Sequence, residues 1–317
     1  MKIIESIAEM RDYSQELKRD GKIVSFVCTD GGLHEGHMRL VEVAKNNSDI
    51  IILSTDKGVH YYPHTLNKDY DYKYFLNTFK NHDKNLCKSN GVDVLFIPDP
   101  KEYFSHGFSL NIEISGTVIA RLKQEFQDNT IVNKVSIQEF LQHLNIILPD
   151  LIPLGQKDIF QTWTLKELIK RLNLDIEVIT VPTVRDKDNV AYSTRLVHSA
   201  PGGHIITKAD HKKRIKCIYQ VLQEVASWEN FPSIAKIKNY IEYKILENGG
   251  TIKYVVVCCP ETMEELDSLH PLDSKDDLAA LVVCAKFDDI YFCDNIPIKI
   301  KSKINILIEK MSEANEE

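Results

Sequence analysis

The chain has 317 residues, of which 43% are hydrophobic and 27% are charged, and its formal net charge is −7. This composition is ordinary for a folded globular protein, and the length suits one large domain or two moderate ones. The negative balance argues against nucleic acid or an anionic membrane surface as a general partner. No apolar run reaches the roughly 18 residues that a transmembrane helix needs, so no membrane partner is expected.

The number and spacing of the cysteines indicate the cellular compartment of the protein. There are seven of them, none in a Cys-x-x-Cys pair, and the amino terminus lacks the apolar core of a secretion signal. An odd count without such a signal is typical of reduced thiols, which predicts a cytoplasmic protein. No spacing of cysteines and histidines resembles a zinc site, so no metal-ligating residues are predicted.

Hydrophobic periodicity predicts alternating helices and strands in the first part of the chain. Helices are expected at 6–20, 36–46, 69–90, 134–148 and 158–172, and strands at 22–28, 50–55, 93–97, 151–154 and 176–181. A short strand at 111–114 and a helix at 117–127 are also expected. This alternation predicts an α/β fold with a Rossmann-like parallel sheet flanked by helices. Ligands of such sheets bind beyond the carboxyl ends of the strands.

A polar, glycine-containing stretch at 186–204 predicts a domain boundary. Residues 1–187 are expected to form the Rossmann-like domain, and residues 188–317 a smaller α+β lid domain with a helical tail. Pro201-Gly202-Gly203 is the expected hinge. The second domain is predicted to contain helices at 208–227 and 232–248 and strands at 251–259, 278–285 and 289–294.

The most informative motif follows the first of the predicted sheet strands. Gly31-Gly32 precedes His34-x-Gly-His37, which opens an amphipathic helix. Glycines allow a ligand to approach the backbone closely, and free N–H groups at a helix start favour phosphate. The two imidazoles are about one helical turn apart and can face one anion. A surface turn with two unremarkable histidines is the alternative, and the ordered combination of features disfavours it.

Two more polar stretches follow later strands. Gly155 through Gln161 reads Gly-Gln-Lys-Asp-Ile-Phe-Gln, where Lys157 can neutralise phosphate. Asp158 can hold a ribose hydroxyl or cap the helix, and taken alone the cap is the favoured role. Further along, Ser193-Thr194-Arg195 offers two hydroxyls beside a guanidinium, a plausible phosphate clamp with a polar loop as the alternative.

The order and spacing of these three motifs resemble the pantothenate synthetase (pantoate–β-alanine ligase) family, which belongs to the His-x-Gly-His nucleotidyltransferase superfamily. The family's Gly-Glu-Lys-Asp-x-Gln-Gln is similar to residues 155–161, and its Ser-Ser-Arg-Asn to residues 193–196. The similarity covers about residues 1–298. It implies an ATP-dependent, AMP-forming ligase that joins a carboxylic acid to an amine through an acyl adenylate.

The resemblance also implies ATP and Mg²⁺ as cofactors and a cytoplasmic homodimer, and it makes residues 1–187 the ATP- and acid-binding domain. It implies these catalytic residues: His34, His37, Lys157, Ser193 and Arg195. The implied nucleotide-binding residues are Thr29, Gly31, Gly36, Gly155, Asp158, Val184 and Thr194. The implied substrate-binding residues are Asp30, Tyr61, Lys134 and Gln161.

The acid side of the site departs from the family. Cys28 and Asp30 replace a proline and a methionine, and Tyr61 stands where the family has a glutamine. A family arginine is missing near Lys134, and Phe160 replaces the first glutamine of a pair. These changes favour a ligase with a different acid and amine. The alternatives are a genuine pantothenate synthetase, a nucleotidyltransferase that stops at a nucleotidylated product, and a nucleotide-binding relic.

Asp30 suggests one property of the acid substrate. A carboxylate at this position repels a plain anionic acid, so a substrate with a cationic or strongly donating group is expected. The alternative is that Lys57 or Lys134 pairs with Asp30.

Overall fold

The computed structural model describes residues 1–55, 72–98, 102, 134–197, 209–228, 231, 233–267, 278–288 and 290–299. These residues fall into two compact units. The first contains the described residues up to 186 together with 191–197, and the second contains 187–190 and those from 209 onward. Among the described helices, none is long and apolar enough to cross a membrane. The predicted hinge lies outside the described residues, and the predicted domain boundary remains a prediction.

The first unit is built on a parallel sheet, as predicted, and this sheet has six strands. Its strands are β1 (Lys2–Ile4), β2 (Val24–Thr29), β3 (Ile50–Thr55), β4 (Val94–Phe96), β5 (Leu151–Gly155) and β6 (Glu177–Val181). Its described helices are α1 (Ile7–Arg19), α2 (Glu35–Asn47), α3 (Tyr72–Asn90), α4 (Lys134–Ile147), α5 (Ile159–Arg171) and the single turn α6 (Thr194–Val197). The strand and helix predicted at 111–114 and 117–127 lie outside the described residues.

The four inner strands β2 to β5 bury both of their faces, since consecutive side chains, which alternate between the faces, are almost all buried. Phe26 of β2 belongs to one apolar cluster and the next residue, Val27, belongs to another. The cluster with Phe26 also contains side chains of α1, α4 and α5, whereas the cluster with Val27 contains side chains of α2 and α3. Helices therefore cover the sheet on both faces, which confirms the Rossmann-like prediction.

Sequence periodicity missed the first strand. β1 has only three residues, and it pairs in parallel with β4 at the edge of the sheet. Ile4 is fully buried there, and its carbonyl accepts a hydrogen bond from the Ile97 N–H at 2.9 Å. Three residues are too few to show a period of two, so the strand is defined by its pairing with β4 and not by its own pattern.

The second unit contains a three-stranded antiparallel sheet in the order β7-β8-β9. Its described elements are α7 (Ala209–Ala226), α8 (Ile234–Glu247), β7 (Thr251–Cys258), β8 (Leu278–Phe287) and β9 (Ile290–Lys299). The predicted end of the last strand at residue 294 was wrong, because β9 stays paired with β8 as far as Lys299. Pro297 interrupts the strand pattern in the sequence, but an edge strand tolerates a residue without an N–H.

One titratable side chain lies inside the core of the first unit. His143 of α4 is 3% exposed and stacks on Phe26 with ring centroids 5.4 Å apart. Its Nδ1 lies 2.9 Å from the carbonyl oxygen of Glu139. Because burial disfavours the imidazolium form, it lowers the pKa of His143 to about 4, and the Glu139 carbonyl acts weakly in the opposite direction. The histidine is therefore neutral in the folded protein at ordinary pH.

Candidate functional site

The strand order of the parallel sheet reverses at β2, and an open parallel sheet has its ligand crevice at such a reversal. From β2 the chain proceeds through β3 and β4 on one side, and it then returns to place β5 and β6 on the other side. β2 and β5 pair only through Ser25 and Leu151, near their amino ends, whereas β5 and β6 stay paired over five residues. Ligands of open parallel sheets bind at such a reversal. Two of the three sequence motifs directly follow β2 and β5 and so lie beside this crevice.

The histidine pair is held in one defined arrangement at the start of α2. Nδ1 of His34 accepts a hydrogen bond from the Gly36 N–H at 3.1 Å, and Nδ1 of His37 accepts one from the His34 N–H at 3.3 Å. An accepting Nδ1 carries no proton, so the ring proton of each imidazole is on Nε2. The ring centroids lie 4.0 Å apart. The site therefore contains two adjacent imidazoles that can each donate an Nε2–H to an anion.

The expectation of free backbone N–H groups at this turn was wrong. The N–H groups of His34 and Gly36 donate to the imidazoles, and those of Gly32 and Leu33 donate to a carboxylate of α3. The His37 N–H donates to the His34 carbonyl at 2.8 Å. These donors are satisfied within the protein, so the imidazoles, and not these five N–H groups, are placed to meet a ligand.

That carboxylate belongs to Asp83, which the sequence analysis did not identify. Asp83 is 5% exposed, and its two oxygens accept from the Gly32 and Leu33 N–H groups at 2.8 Å each. Burial raises the pKa of the Asp83 carboxyl, while these two bonds and the nearby His82 act in the opposite direction. A Cβ at Gly31 would lie 3.3 Å from this carboxylate, and Gly31 has a φ of +89°. Gly31 is therefore needed for the positive φ of the turn and for its close contact with Asp83, and not only for the approach of a ligand.

The third motif reaches the same turn from 162 residues away. The hydroxyl of Thr194 donates to the Gly32 carbonyl at 3.2 Å. Ser193, which is 7% exposed, precedes the helical turn α6. Tyr192 donates its N–H to the Val184 carbonyl at 3.1 Å, and its ring centroid lies 6.1 Å from that of His34. The first and third motifs therefore form one cluster, as the sequence predicted, and Arg195 lies in α6 with its side chain outside the described residues.

The second motif occupies the start of α5, across the crevice. Lys157 and Asp158 form an ion pair with a nitrogen–oxygen distance of 3.3 Å. Asp158 stands at the N-cap position of α5, but its carboxylate accepts no helix N–H, so the favoured role as a cap was wrong. Exposed ion pairs contribute little stability, so Lys157 can exchange Asp158 for a ligand at small cost. A Cβ at Gly155 would meet open space within 4 Å.

The structure describes only two of the four predicted acid-binding side chains. Asp30 is exposed directly after Thr29, and Gln161 is half-buried on α5. Tyr61 and the side chain of Lys134 lie outside the described residues. Phe160 is 4% exposed and belongs to the interior. Among the described residues, no group of three or more acidic, cysteine or histidine side chains could hold a metal ion.

A doubly wound parallel sheet with two histidines at its point of reversal defines an α/β protein of the class that binds ligands beyond the carboxyl ends of its strands. The sequence model of the pantoate–β-alanine ligase family matches residues 2–297. The chain therefore belongs to this family of ATP-dependent ligases.

Individual relatives and solved structures agree with this family. The pantothenate synthetase of Caldicellulosiruptor saccharolyticus is 30% identical over 278 residues, which cover 85% of this chain and 92% of the relative. The pantothenate synthetase of Acetivibrio thermocellus is 28% identical, and the match covers 95% of this chain and 100% of the relative. The fold matches a pantothenate synthetase structure from Thermus thermophilus at 24% identity with a TM-score of 0.74, covering 93% and 99%. The fold also matches a Francisella tularensis pantoate–β-alanine ligase that was solved with β-γ ATP and β-alanine. The identity is 22% and the TM-score is 0.68, and the match covers 95% of this chain and 99% of the other.

Proposed function

We propose that the protein is an AMP-forming carboxylate–amine ligase that works through an acyl adenylate and accepts partners other than pantoate and β-alanine. The observation that supports it most strongly is the pair of imidazoles, both with Nδ1 accepting, beside the crevice at the point of strand reversal. Neighbouring N–H donors fixed in advance suit an oxyanion whose charge grows during reaction. The triphosphate of ATP is such an anion.

In this proposal ATP lies along the crevice between the ends of β2 and β5. His34 and His37 donate to the triphosphate, and Lys157 leaves its weak pair with Asp158 to neutralise a phosphate. Ser193, Thr194 and Arg195 hold the departing pyrophosphate. Thr29, Gly31, Gly36 and Val184 form the walls of the nucleotide site, and Gly155 and Asp158 contact the ribose. Because a Cβ at Gly155 would meet open space, a ligand can approach this backbone closely.

Mg²⁺ fits the proposed site as a companion of ATP. The imidazole N–H groups of His34 and His37 suit phosphate oxygens and cannot bind a cation, whereas Mg²⁺ prefers phosphate oxygens as ligands. When bound there, the cation would spread the negative charge of the triphosphate. The residues of the chain would position the phosphates by hydrogen bonding.

The reaction has two balanced steps. A carboxylate oxygen attacks the α-phosphorus, the bond from that phosphorus to the bridging oxygen breaks, and pyrophosphate leaves with the electron pair. The amine nitrogen then attacks the acyl carbon, loses a proton, and the acyl carbon–oxygen bond breaks to release AMP. Charge accumulates on phosphate oxygens in the first step, which is where the two imidazoles act.

The class of acid substrate is the finer part of the proposal, and it rests on the residues proposed to bind the acid. Asp30 is exposed at the end of β2, where a carboxylate can meet a substrate ammonium or donor. Phe160 places a buried apolar ring where the family has a glutamine amide. Gln161, Lys134 and Tyr61 are the remaining proposed contacts of the acid. An acid bearing an amino group is the substrate class that these residues favour.

The test is an ATP–pyrophosphate exchange screen of carboxylic acids, comparing amino acids with their hydroxy-acid analogues. We expect exchange with an amino-substituted acid and a weaker preference for it in Asp30→Met. AMP release on addition of an amine identifies a ligase, and pyrophosphate release without AMP identifies a nucleotidyltransferase. A preference for hydroxy acids in both proteins contradicts the proposed role of Asp30.

A genuine pantothenate synthetase is the second candidate. The family match over residues 2–297 and the pantothenate synthetases at 28% and 30% identity favour it. We expect poor pantothenate formation, because an unpartnered buried polar group costs about 1–3 kcal/mol and several contacts differ. The measurement is pantothenate formed from pantoate and β-alanine. Robust formation would establish the second candidate in place of the first.

Replacing Gly36 with alanine separates activity from stability. The new Cβ would lie 2.9 Å from Cε1 and 3.0 Å from Nδ1 of His34, so the ring must move and its bond to the helix start is lost. The loss of this cap lowers the free energy of unfolding by about 1 kcal/mol, and alanine in place of glycine within a helix raises it by about 1 kcal/mol. We therefore expect nearly unchanged thermal stability and at least about a tenfold loss of pyrophosphate release. Unchanged release would show that the ring position is unimportant.

A further inference from the structure

Three consecutive peptide groups of the turn between β2 and α2 are fixed by side chains from distant parts of the chain. The N–H of Gly32 donates to Asp83 at 2.8 Å. The next peptide group donates its Leu33 N–H to Asp83 at 2.8 Å and accepts from Thr194 at its Gly32 carbonyl. A peptide plane held at both its N–H and its C=O cannot rotate without breaking a hydrogen bond.

The following peptide group leads directly into the histidine pair. Nε2 of His82 lies 3.2 Å from the Leu33 carbonyl oxygen, and since a carbonyl can only accept, the imidazole donates. The N–H of the same peptide is that of His34, which donates to Nδ1 of His37. Two neighbouring residues of α3 thus hold the backbone on both sides of Leu33, and this backbone sets the orientation of both imidazoles.

We propose that Asp83 is a positioning residue for the His34–His37 pair. It acts through the Gly32 and Leu33 peptide groups, and His82 supports it from the same helix. Asp83 carries negative charge and would repel a phosphate, so it is not itself a ligand for the nucleotide. Its effect on turnover rests on the proposed function, whereas its effect on the imidazoles does not.

The burial of this carboxylate agrees with a positioning role. Asp83 is 5% exposed, and desolvation raises its pKa, so holding the ionised group at this place opposes folding. Both carboxylate oxygens accept hydrogen bonds, which an amide cannot reproduce because one of its ends is a donor. The expected consequence of Asp83→Asn is an N–H group facing an N–H group and a displaced turn.

Asp93 provides a matched control. Its carboxylate also accepts a backbone N–H, that of Ile51 at 2.9 Å, but at the amino end of β3, far from the ends that carry the motifs. Asp93→Asn therefore makes the same chemical change without touching the turn, and because only one oxygen of Asp93 accepts, its amide oxygen can still accept the Ile51 N–H. An effect of losing one carboxylate charge near the sheet would appear in both variants, whereas a displaced histidine pair would appear only in Asp83→Asn.

The experiment compares the two variants with the wild type in kinetics and in imidazole ¹⁵N spectra, with signals assigned by His34→Asn and His37→Asn. We expect Asp83→Asn to lower kcat for pyrophosphate release about tenfold to a hundredfold, since small misplacements of reacting groups cost that much. KM for ATP should change less, and the imidazole signals of His34 and His37 should shift. Asp93→Asn should retain the wild-type kcat and spectra.

Two results overturn the proposal. One is unchanged imidazole signals in Asp83→Asn, and the other is a kcat loss no larger than that of Asp93→Asn at equal folded fraction. A wild-type protein that releases no pyrophosphate with any acid refutes the proposed function instead. In that case the spectra alone decide whether Asp83 positions the histidines.

Discussion

Replacing His37 with asparagine is expected to lower pyrophosphate release about a hundredfold or more, because a donor aimed at developing charge is removed. The asparagine Oδ1 occupies roughly the place of Nδ1, so it can still accept the His34 N–H that the native ring accepts at 3.3 Å. The fold and the start of α2 should therefore survive. The measurement is single-turnover adenylation beside thermal unfolding.

Glutamine at position 37 makes the test sharper. Its longer side chain brings an amide N–H near the place of Nε2, so it should recover part of the rate that asparagine loses. Glu35→Gln is the control, since Glu35 is exposed at the first position of the same helix. If both substitutions of His37 turn over like Glu35→Gln, the imidazole plays no part in adenylation.

Acidification is expected to destabilise the protein through His143. Its pKa is about 4 when folded and about 6.5 when unfolded, so the unfolded chain binds more protons between these values. The stability contributed by the neutral ring is complete above the unfolded value and is lost as the pH falls towards the folded one. Between about pH 8 and pH 5 this amounts to about 2 kcal/mol.

The measurement is urea unfolding of the wild type and of His143→Leu at both pH values. Leucine fills a similar volume between Phe26 and Phe96 but does not titrate. The variant should lose about 2 kcal/mol less on acidification than the wild type. Because other groups titrate equally in both proteins, they cancel in this comparison. Parallel losses in the two proteins would mean that burial does not lower the pKa of His143.

The sequence predicted the sheet because strands buried on both faces and amphipathic helices leave periodic patterns. The family resemblance implied that residues of the first and third motifs share one site, and the hydroxyl of Thr194 does donate to the Gly32 carbonyl. The strand β1 was not predicted, because three residues are too few to show a period and its partner β4 is distant in sequence.

The wrong expectations at the site share one physical origin. A sequence shows which groups can donate or accept, but it does not show which partner each group finds. Asp83 reads as an ordinary charged residue within a helix, and only the packing of α3 brings it under the turn. The N–H groups at the start of α2 are unpaired in the sequence pattern, but in the structure the Gly36 N–H donates to the imidazole of His34. Asp158 looks like a cap, yet it pairs with Lys157.

The saturation of the turn has a thermodynamic consequence. The N–H groups of Gly32, Leu33, His34, Gly36 and His37 have partners within the protein before any nucleotide arrives. The conformational entropy of this backbone is therefore lost during folding and not during association. In the proposed function, binding energy gained at the imidazoles is therefore not consumed in ordering a loop, and it remains available to lower the barrier to reaction.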